Sequence, residues 1–257
     1  MKLSVVTTMN AEGWRETGRR MAESFVKHWP ASATLTVYAE DFEPDVDGIE
    51  VRRLPAWIAE FKARNRDKPE RVGHRFNIRD YDYRYDAVKF AHKVAALTDF
   101  ALGLDDGVLV WLDADTFTHA DVTKEWLARL FPDPSYIAWL DRRNSHPECG
   151  FVMYRCAHTY HRKFMEAFRE LYVSDAVFKL AETHDSFVLQ HLVTAKVIAR
   201  KIEPPVSLSG DSRWHHPFVN GPLGACLDHM KGPRKREGRS RKRDMRIQRS
   251  EAYWNVG

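Results

Sequence analysis

Cysteine is scarce. The chain of 257 residues holds three, Cys149, Cys156 and Cys226. An odd count with no Cys-x-x-Cys pair excludes a disulfide-stapled scaffold and argues against a cysteine-held structural zinc. It makes a reducing, cytoplasmic setting the expectation. Long apolar runs are missing too. None approaches the roughly 18 residues that a membrane-spanning helix requires, so no span is expected. There is no internal repeat and no Ser/Gly-rich linker. Residues 1–8, Met-Lys-Leu-Ser-Val-Val-Thr-Thr, are too few and too polar for a secretory leader and read as a first strand.

An excess of positive charge is absent from most of the chain. The formal net charge is +4, but segment 231–249 holds ten Lys or Arg against Glu237 and Asp244, a net of +8. The remainder is acidic, at −4. A concentrated basic block attracts polyanions by releasing their counterions. The plainer account is a solvated tail with no partner. What is present in bulk, 44% hydrophobic and 30% charged residues, is ordinary globular composition. The simplest partition is one catalytic domain over 1–235 and a basic C-terminal extension over 236–257.

Periodicity predicts an α/β fold with a mostly parallel sheet flanked by helices. Strands are expected over 3–8, 34–38, 50–54, 108–112, 136–140, 148–154 and 196–202. The 148–154 strand is expected to be antiparallel or at an edge. Helices are expected over 12–28, 86–97, 122–131, 159–180 and 186–193, and Pro30 and Pro132 mark two of their ends. Residues 63–85, charged and tyrosine-rich without a clear period, read as a long loop able to close over a ligand. Residues 209–224 read as a Gly-, His- and Pro-rich loop.

The chemistry concentrates at 108–116, Val-Leu-Val-Trp-Leu-Asp-Ala-Asp-Thr. An apolar run fit for a buried strand ends in two carboxylates one residue apart. Asp113 and Asp115 then point the same way at the carboxyl end of a strand, where open α/β sheets bind ligands. Convergent oxygens of this kind suit Mg²⁺ or Mn²⁺. The plainer account is Asp serving turn chemistry.

A second motif lies far downstream, His229-Met230-Lys231-Gly232-Pro233-Arg234-Lys235. Asp-x-Asp after a buried strand, followed late by His-x-x-Gly-x-x-Lys, resembles the metal-dependent GT-A glycosyltransferases, and most of all glycosyltransferase family 8, the glycogenin-like group. The likeness runs over about 1–235 and is strongest at those two motifs. It implies a GT-A fold, a nucleotide-sugar donor (a UDP-sugar by default) and Mn²⁺ or Mg²⁺ at its diphosphate. It also implies roles for residues. Asp113 would touch metal and ribose, Asp115 and His229 would ligate the metal, and Lys235 would contact the diphosphate. Ala114 would lie against the donor between the two carboxylates. Gly232 would let the backbone approach the phosphates. Thr7, Thr8 and Asn10 match the nucleoside site, and Lys93, chosen over Lys89, supplies a basic residue from the 86–97 helix.

Asp185 stands where the family has an Asp-Gln pair. Here the pair is Asp185-Ser186, so the Gln is missing and the stereochemical outcome is open. Asp185 either holds sugar hydroxyls or serves as general base to the acceptor; as a plain helix N-cap it would do neither. Glu148 is a second candidate base or acceptor clamp, and Asp141 a third.

The acceptor reading rests on the basic block beside Lys235. With Trp214, His215, His216, Tyr253 and Trp254 as stacking surfaces, it points to DNA carrying hydroxymethylated bases, as modified by phage-type glycosyltransferases. Anionic membrane or lipopolysaccharide surfaces are the competing partners. Two other classes stand against the transferase. A haloacid-dehalogenase-type phosphatase would use Asp113 as nucleophile and Asp115 as acid/base, although Gly210-Asp211 is a poor late acidic motif. A nucleic-acid-binding module would leave the carboxylates structural.

Overall fold

The computed structural model describes residues 2–210 and 216–255. A seven-stranded sheet forms its centre: β1 (Leu3–Met9), β2 (Ala33–Ala39), β3 (Glu50–Arg52), β4 (Val108–Leu112), β6 (Ile137–Arg142), β7 (Ser145–Arg155) and β8 (Val206–Ser207). A separate ribbon pairs β5 (Thr116–Thr118) with β9 (Leu227–His229). The large sheet has the order β3-β2-β1-β4-β7-β6-β8, and only β7 runs against its neighbours. The expected mostly parallel α/β architecture is therefore present.

Both faces of the sheet are covered, which explains why β1 and β4 read as unbroken apolar runs. All five residues of β4 are buried. Leu109 and Trp111 face one core, Val108, Val110 and Leu112 the other. The first face receives α4 (Ala87–Leu102), α6 (His161–Val173) and α7 (Asp185–Ile198); the second receives α2 (Arg19–His28). Between β1 and α2 lie α1 (Ala11–Gly13) and a π-helical turn, Trp14–Gly18. Two further helices are α3 (Trp57–Asn65) and α5 (Lys124–Leu130). Helix α4 is alanine-rich where it meets the sheet, with Ala87, Ala91, Ala95 and Ala101 fully buried. Asp86 caps it by accepting from the Lys89 N–H.

Several expected elements differ. The loop expected over 63–85 begins inside α3, and two 3-10 turns, Pro69–Arg71 and Tyr83–Tyr85, break up the rest. The helix expected over 159–180 stops at Val173. Asp175 there turns left-handed at φ 61°, and its carboxylate collects Arg64, Asn65 and Arg71. The strand expected over 196–202 does not form. Helix α7 continues to Ile198, Arg200 turns at φ 54°, and the last strand of the large sheet is Val206–Ser207. Strand β7 is antiparallel as expected but lies inside the sheet, between β4 and β6. Ribbon β5–β9 was not expected; strands of three residues leave too short a pattern to read.

Residues 236–255 pack back on the body. Arg20 donates to the Gly238 carbonyl, and Trp254 is buried with its indole N–H on the Gly224 carbonyl at 2.8 Å. No helix among the described residues is long and apolar enough to cross a membrane.

Candidate active site

Strand β4 delivers Asp113 at its carboxyl end. The chain then turns, closed by the Thr116 N–H on the Asp113 carbonyl at 3.1 Å, and enters β5. Ribbon pairing sets Thr116 opposite His229. The imidazole is thereby brought to the acid pair from 114 positions away, with Nε2 at 2.9 Å from Asp115 Oδ1 and 3.7 Å from Asp113 Oδ2. One donor atom from each of Asp113, Asp115 and His229 lies within 4.8 Å of the others. The two sequence motifs meet in space.

Gly150 makes this meeting possible. It lies beside Asp113 on β7, whose Gly150 carbonyl accepts the Asp113 N–H at 2.9 Å. A Cβ on Gly150 would stand 2.4 Å from His229 Cε1. No local signal in the sequence marks Gly150 for this role.

The charges around this centre are paired; His229 and Glu148 are buried, and Lys93, Asp113, Asp115, Asp185 and Lys235 are partly so. Lys93 reaches up from α4 to Asp113 Oδ1 at 3.0 Å, Asp185 Oδ2 at 2.7 Å and the Cys149 carbonyl at 2.7 Å. Burial disfavours its charge, but Asp113 and Asp185 outweigh that and hold the ammonium well above its usual range. Trp111 adds its indole N–H to Asp113 Oδ1 at 2.6 Å. Lys235 stands 3.2 Å from Asp115 Oδ2. Burial pushes the Asp115 carboxyl up, yet His229 and Lys235 pull it well below the carboxylate range. For His229, burial opposes the proton and Asp115 more than offsets it, which holds the imidazole above its usual range.

Glu148 is 3% exposed and lies between Lys231 and Arg142. Burial raises its carboxyl, and Lys231, His229 and Arg142 together bring it down to about 2. Asp185 opens α7, but the capping position is His184 and has no side-chain cap bond. The Asp185 carboxylate faces Lys93 instead, so the plain N-cap account does not hold. Burial raises Asp185, and Lys93 and His184 more than compensate, so it stays ionised.

A cavity of about 700 Å³ joins these groups, lined among others by Asp113, Asp115, Glu148, Asp185, Gly232 and Lys235. Gly232, at φ 57° with open space around its α-carbon, sits on its rim. Lys231, also on the wall, lies inside the second motif and was not given a role from sequence. Ala114 sits half-buried between the two carboxylates and packs on the core under β1.

Thr7, Thr8 and Asn10 are at the carboxyl end of β1, and none of them lines this cavity. Thr7 is buried with its hydroxyl unpartnered, Thr8 donates to the Tyr38 carbonyl at 2.8 Å, and Asn10 accepts from the Gly13 N–H at 2.8 Å. Asp141 accepts from Ser207 and is not in the cavity wall.

The aromatic surfaces expected for stacking are used inside the fold. Trp254 is buried, Tyr253 stacks on His119 at 4.2 Å and donates to Asp228, and His216 Nε2 lies 3.1 Å from the His229 carbonyl. Trp214, His215 and Asp211 lie outside the described residues.

No family model and no curated protein matches the chain. Solved structures do. The chain is 12% identical to an apo structure of the WbbM bifunctional glycosyltransferase, covering 74% of itself and 37% of that chain at a TM-score of 0.45. It is 9% identical to apo xyloside xylosyltransferase 1 from mouse, covering 78% of itself and 83% of that chain at 0.45. It is 12% identical to a glycosyltransferase involved in the glycosylation of the major capsid of PBCV-1, covering 93% of itself and 97% of that chain at 0.49.

Proposed function

We infer that this chain is a GT-A glycosyltransferase that moves a sugar from a nucleotide-diphosphate sugar, a UDP-sugar by default, to an acceptor hydroxyl. The observation that carries this reading is the convergence of Asp113, Asp115 and His229 within 4.8 Å beside a cavity of about 700 Å³ that Asp113, Asp115 and Lys235 line. Two carboxylates and an imidazole fit a Mn²⁺- or Mg²⁺-class ion, and Nε2 of His229 is already directed at the carboxylates it would share the ion with. Such an ion, when bound, neutralises charge developing on a diphosphate leaving group.

The chain's own residues do the rest. Lys235 is placed to exchange Asp115 for a diphosphate oxygen. Gly232 leaves room for that diphosphate against the backbone. Lys93 ties Asp113 to Asp185 and fixes both carboxylates at one depth. A carboxylate held strongly ionised is a weak base. Asp185 and Glu148 therefore serve as acceptors for sugar and acceptor hydroxyls rather than as proton-takers, which favours retention at the transferred sugar.

For the acceptor, the reading is DNA with a hydroxymethylated base, supported by the exposed side chains of Arg236, Lys242, Arg243 and Arg246, which follow the cleft-lining Lys235 in the chain. The block is less free than its sequence suggests, because Lys231, Arg234, Lys235, Arg241 and Arg249 pair with acids of the fold.

A thermal-shift screen over nucleotide sugars tests the donor. The expected result is a rise in Tm with UDP-sugar only when Mn²⁺ is present, abolished in Asp115→Asn. Hydrolysis of a generic phosphate ester, lost in Asp113→Asn, would replace this reading with the phosphatase. Transfer of labelled sugar to hydroxymethylcytosine DNA tests the acceptor, and no binding at low salt would remove it.

A further inference from the structure

We propose that His146, Glu182 and His184 form a second cation site, suited to Zn²⁺, along the same cleft. His146 comes from the start of β7; Glu182 and His184 come from the turn before α7, which packs on β7. One donor atom of each lies within 4.8 Å of the others. Both imidazoles aim Nε2 at a single oxygen, Glu182 Oε2, at 2.8 Å from His184 and 3.6 Å from His146. The other carboxylate oxygen faces Arg84 at 3.8 Å.

The far side of the His146 ring is held as well. His146 Nδ1 is 2.6 Å from Gln190 Oε1, and His184 Nδ1 is 3.9 Å from Asp185 Oδ1. An oxygen acceptor behind Nδ1 fixes the tautomer that presents the Nε2 lone pair forward, which is how metal-ligating histidines are oriented. A plain His–Glu pair accounts for one imidazole. It does not account for two converging on one oxygen with the rear nitrogen of His146 backed by an acceptor. Aromatic edges shield the cluster: Tyr83 lies 5.5 Å and Phe90 6.1 Å from His184, and Phe187 lies 5.2 Å from His146.

The donor set decides the ion. Two imidazoles and one carboxylate are a zinc set with a fourth position open. They are a poor set for Mg²⁺, which takes oxygen. The histidine side chains are 5% and 34% exposed, and the three residues line a cavity of about 570 Å³, so the open position has a route to solvent. An acceptor oxygen would enter there. The ion would also tie β7 to the turn carrying Asp185, whose carboxylate lies between His184 and Lys93.

The test uses the full chain carrying Asp115→Asn, which disables the other cluster, stripped of metal and titrated with Zn²⁺ by calorimetry and elemental analysis. One equivalent is expected to bind, and Co²⁺ in its place is expected to give the visible absorption of a four-coordinate ion. Adding His146→Ala or Glu182→Gln is expected to weaken binding by about 100-fold, and Gln190→Leu by about 10- to 100-fold with unchanged circular dichroism. Absence of that equivalent in Asp115→Asn overturns the site and leaves the Asp-x-Asp reading standing. Folded His146→Ala and Glu182→Gln variants that bind as tightly as their parent overturn it too. Should those two unfold, unchanged affinity in Gln190→Leu does the same. Zinc retained in a chain that binds no nucleotide sugar would support this site while removing the proposed function.

Discussion

Lys93 is the residue on which most of the site's charge balance rests. Its ammonium is fully committed to two carboxylates and a carbonyl in the interior. Lys93→Met would leave Asp113 and Asp185, both partly buried, without that partner; breaking a fully buried pair costs about 3–5 kcal/mol, so a loss at or below the lower end of that range is expected. Urea unfolding is expected to show a loss of that order, with an unchanged m-value. Gly150 makes a narrower demand. Gly150→Ala would push a methyl carbon into the His229 ring at 2.4 Å, so the imidazole must move. The expected outcome is a Mn²⁺ affinity lower by at least about 10-fold, read by calorimetry, with the sheet intact by circular dichroism. Restoring glycine alone should restore affinity.

The ribbon β5–β9 and the chain that covers it make a second set of expectations. His119 follows β5 and is sandwiched against Tyr253. Burial pushes its imidazole down to about 4, with the Gly224 carbonyl pulling weakly the other way. The folded value therefore lies below the unfolded value of about 6.5. As pH falls from 6.5 to 4 the unfolded chain takes up this proton and the folded chain does not, so stability drops across that window and levels off below it. His119→Phe keeps the stacking surface and removes the titration. Its melting temperature is expected to fall less than that of the parent between pH 6.5 and 4.

This ribbon also marks where sequence reading stops. A buried strand running into Asp113 and Asp115 was legible because five apolar residues end abruptly in acid. The helix carrying Lys93 was legible from its spacing. The ribbon that brings His229 to them was not, since each strand is three residues long and the pairing spans more than a hundred positions. Residues 196–202 were misread because α7 ends in Val197 and Ile198, which have the composition of a strand. Burial does not hold them there, since Val197 is half-buried and Ile198 is 77% exposed; the hydrogen-bond ladder of α7 runs on through them to the Ala199 N–H on the Ala195 carbonyl at 3.1 Å.

At the scale of the whole molecule, the C-terminal segment is a strap rather than a loose tail. Asp228, fully buried beside His229, accepts from the Ser240 N–H and hydroxyl and from the Tyr253 hydroxyl, besides its neighbour's N–H. Deleting residues 239–257 would leave that carboxylate almost unpartnered. A lower melting temperature and loss of Mn²⁺ binding together are expected by thermal shift. A chain that keeps both would show the strap to be dispensable.

The reversed direction of β7 has a consequence for how this protein can vary. Its hairpin with β6 turns at Asn144, in the left-handed region at φ 61°, and six residues later the strand must present hydrogen rather than a side chain to the imidazole. The β6–β7 register shifts between Trp139 and Arg142, so the stretch between that turn and Gly150 is irregular, while on its other side Gly150 is held by β4, through Phe151 opposite Leu112 and the Asp113 N–H on the Gly150 carbonyl. Surface hairpins ordinarily tolerate insertions and deletions, and the shifted register here leaves slack to absorb them, so the spot that must stay bare before the imidazole is guarded by β4 and not by the length of the hairpin.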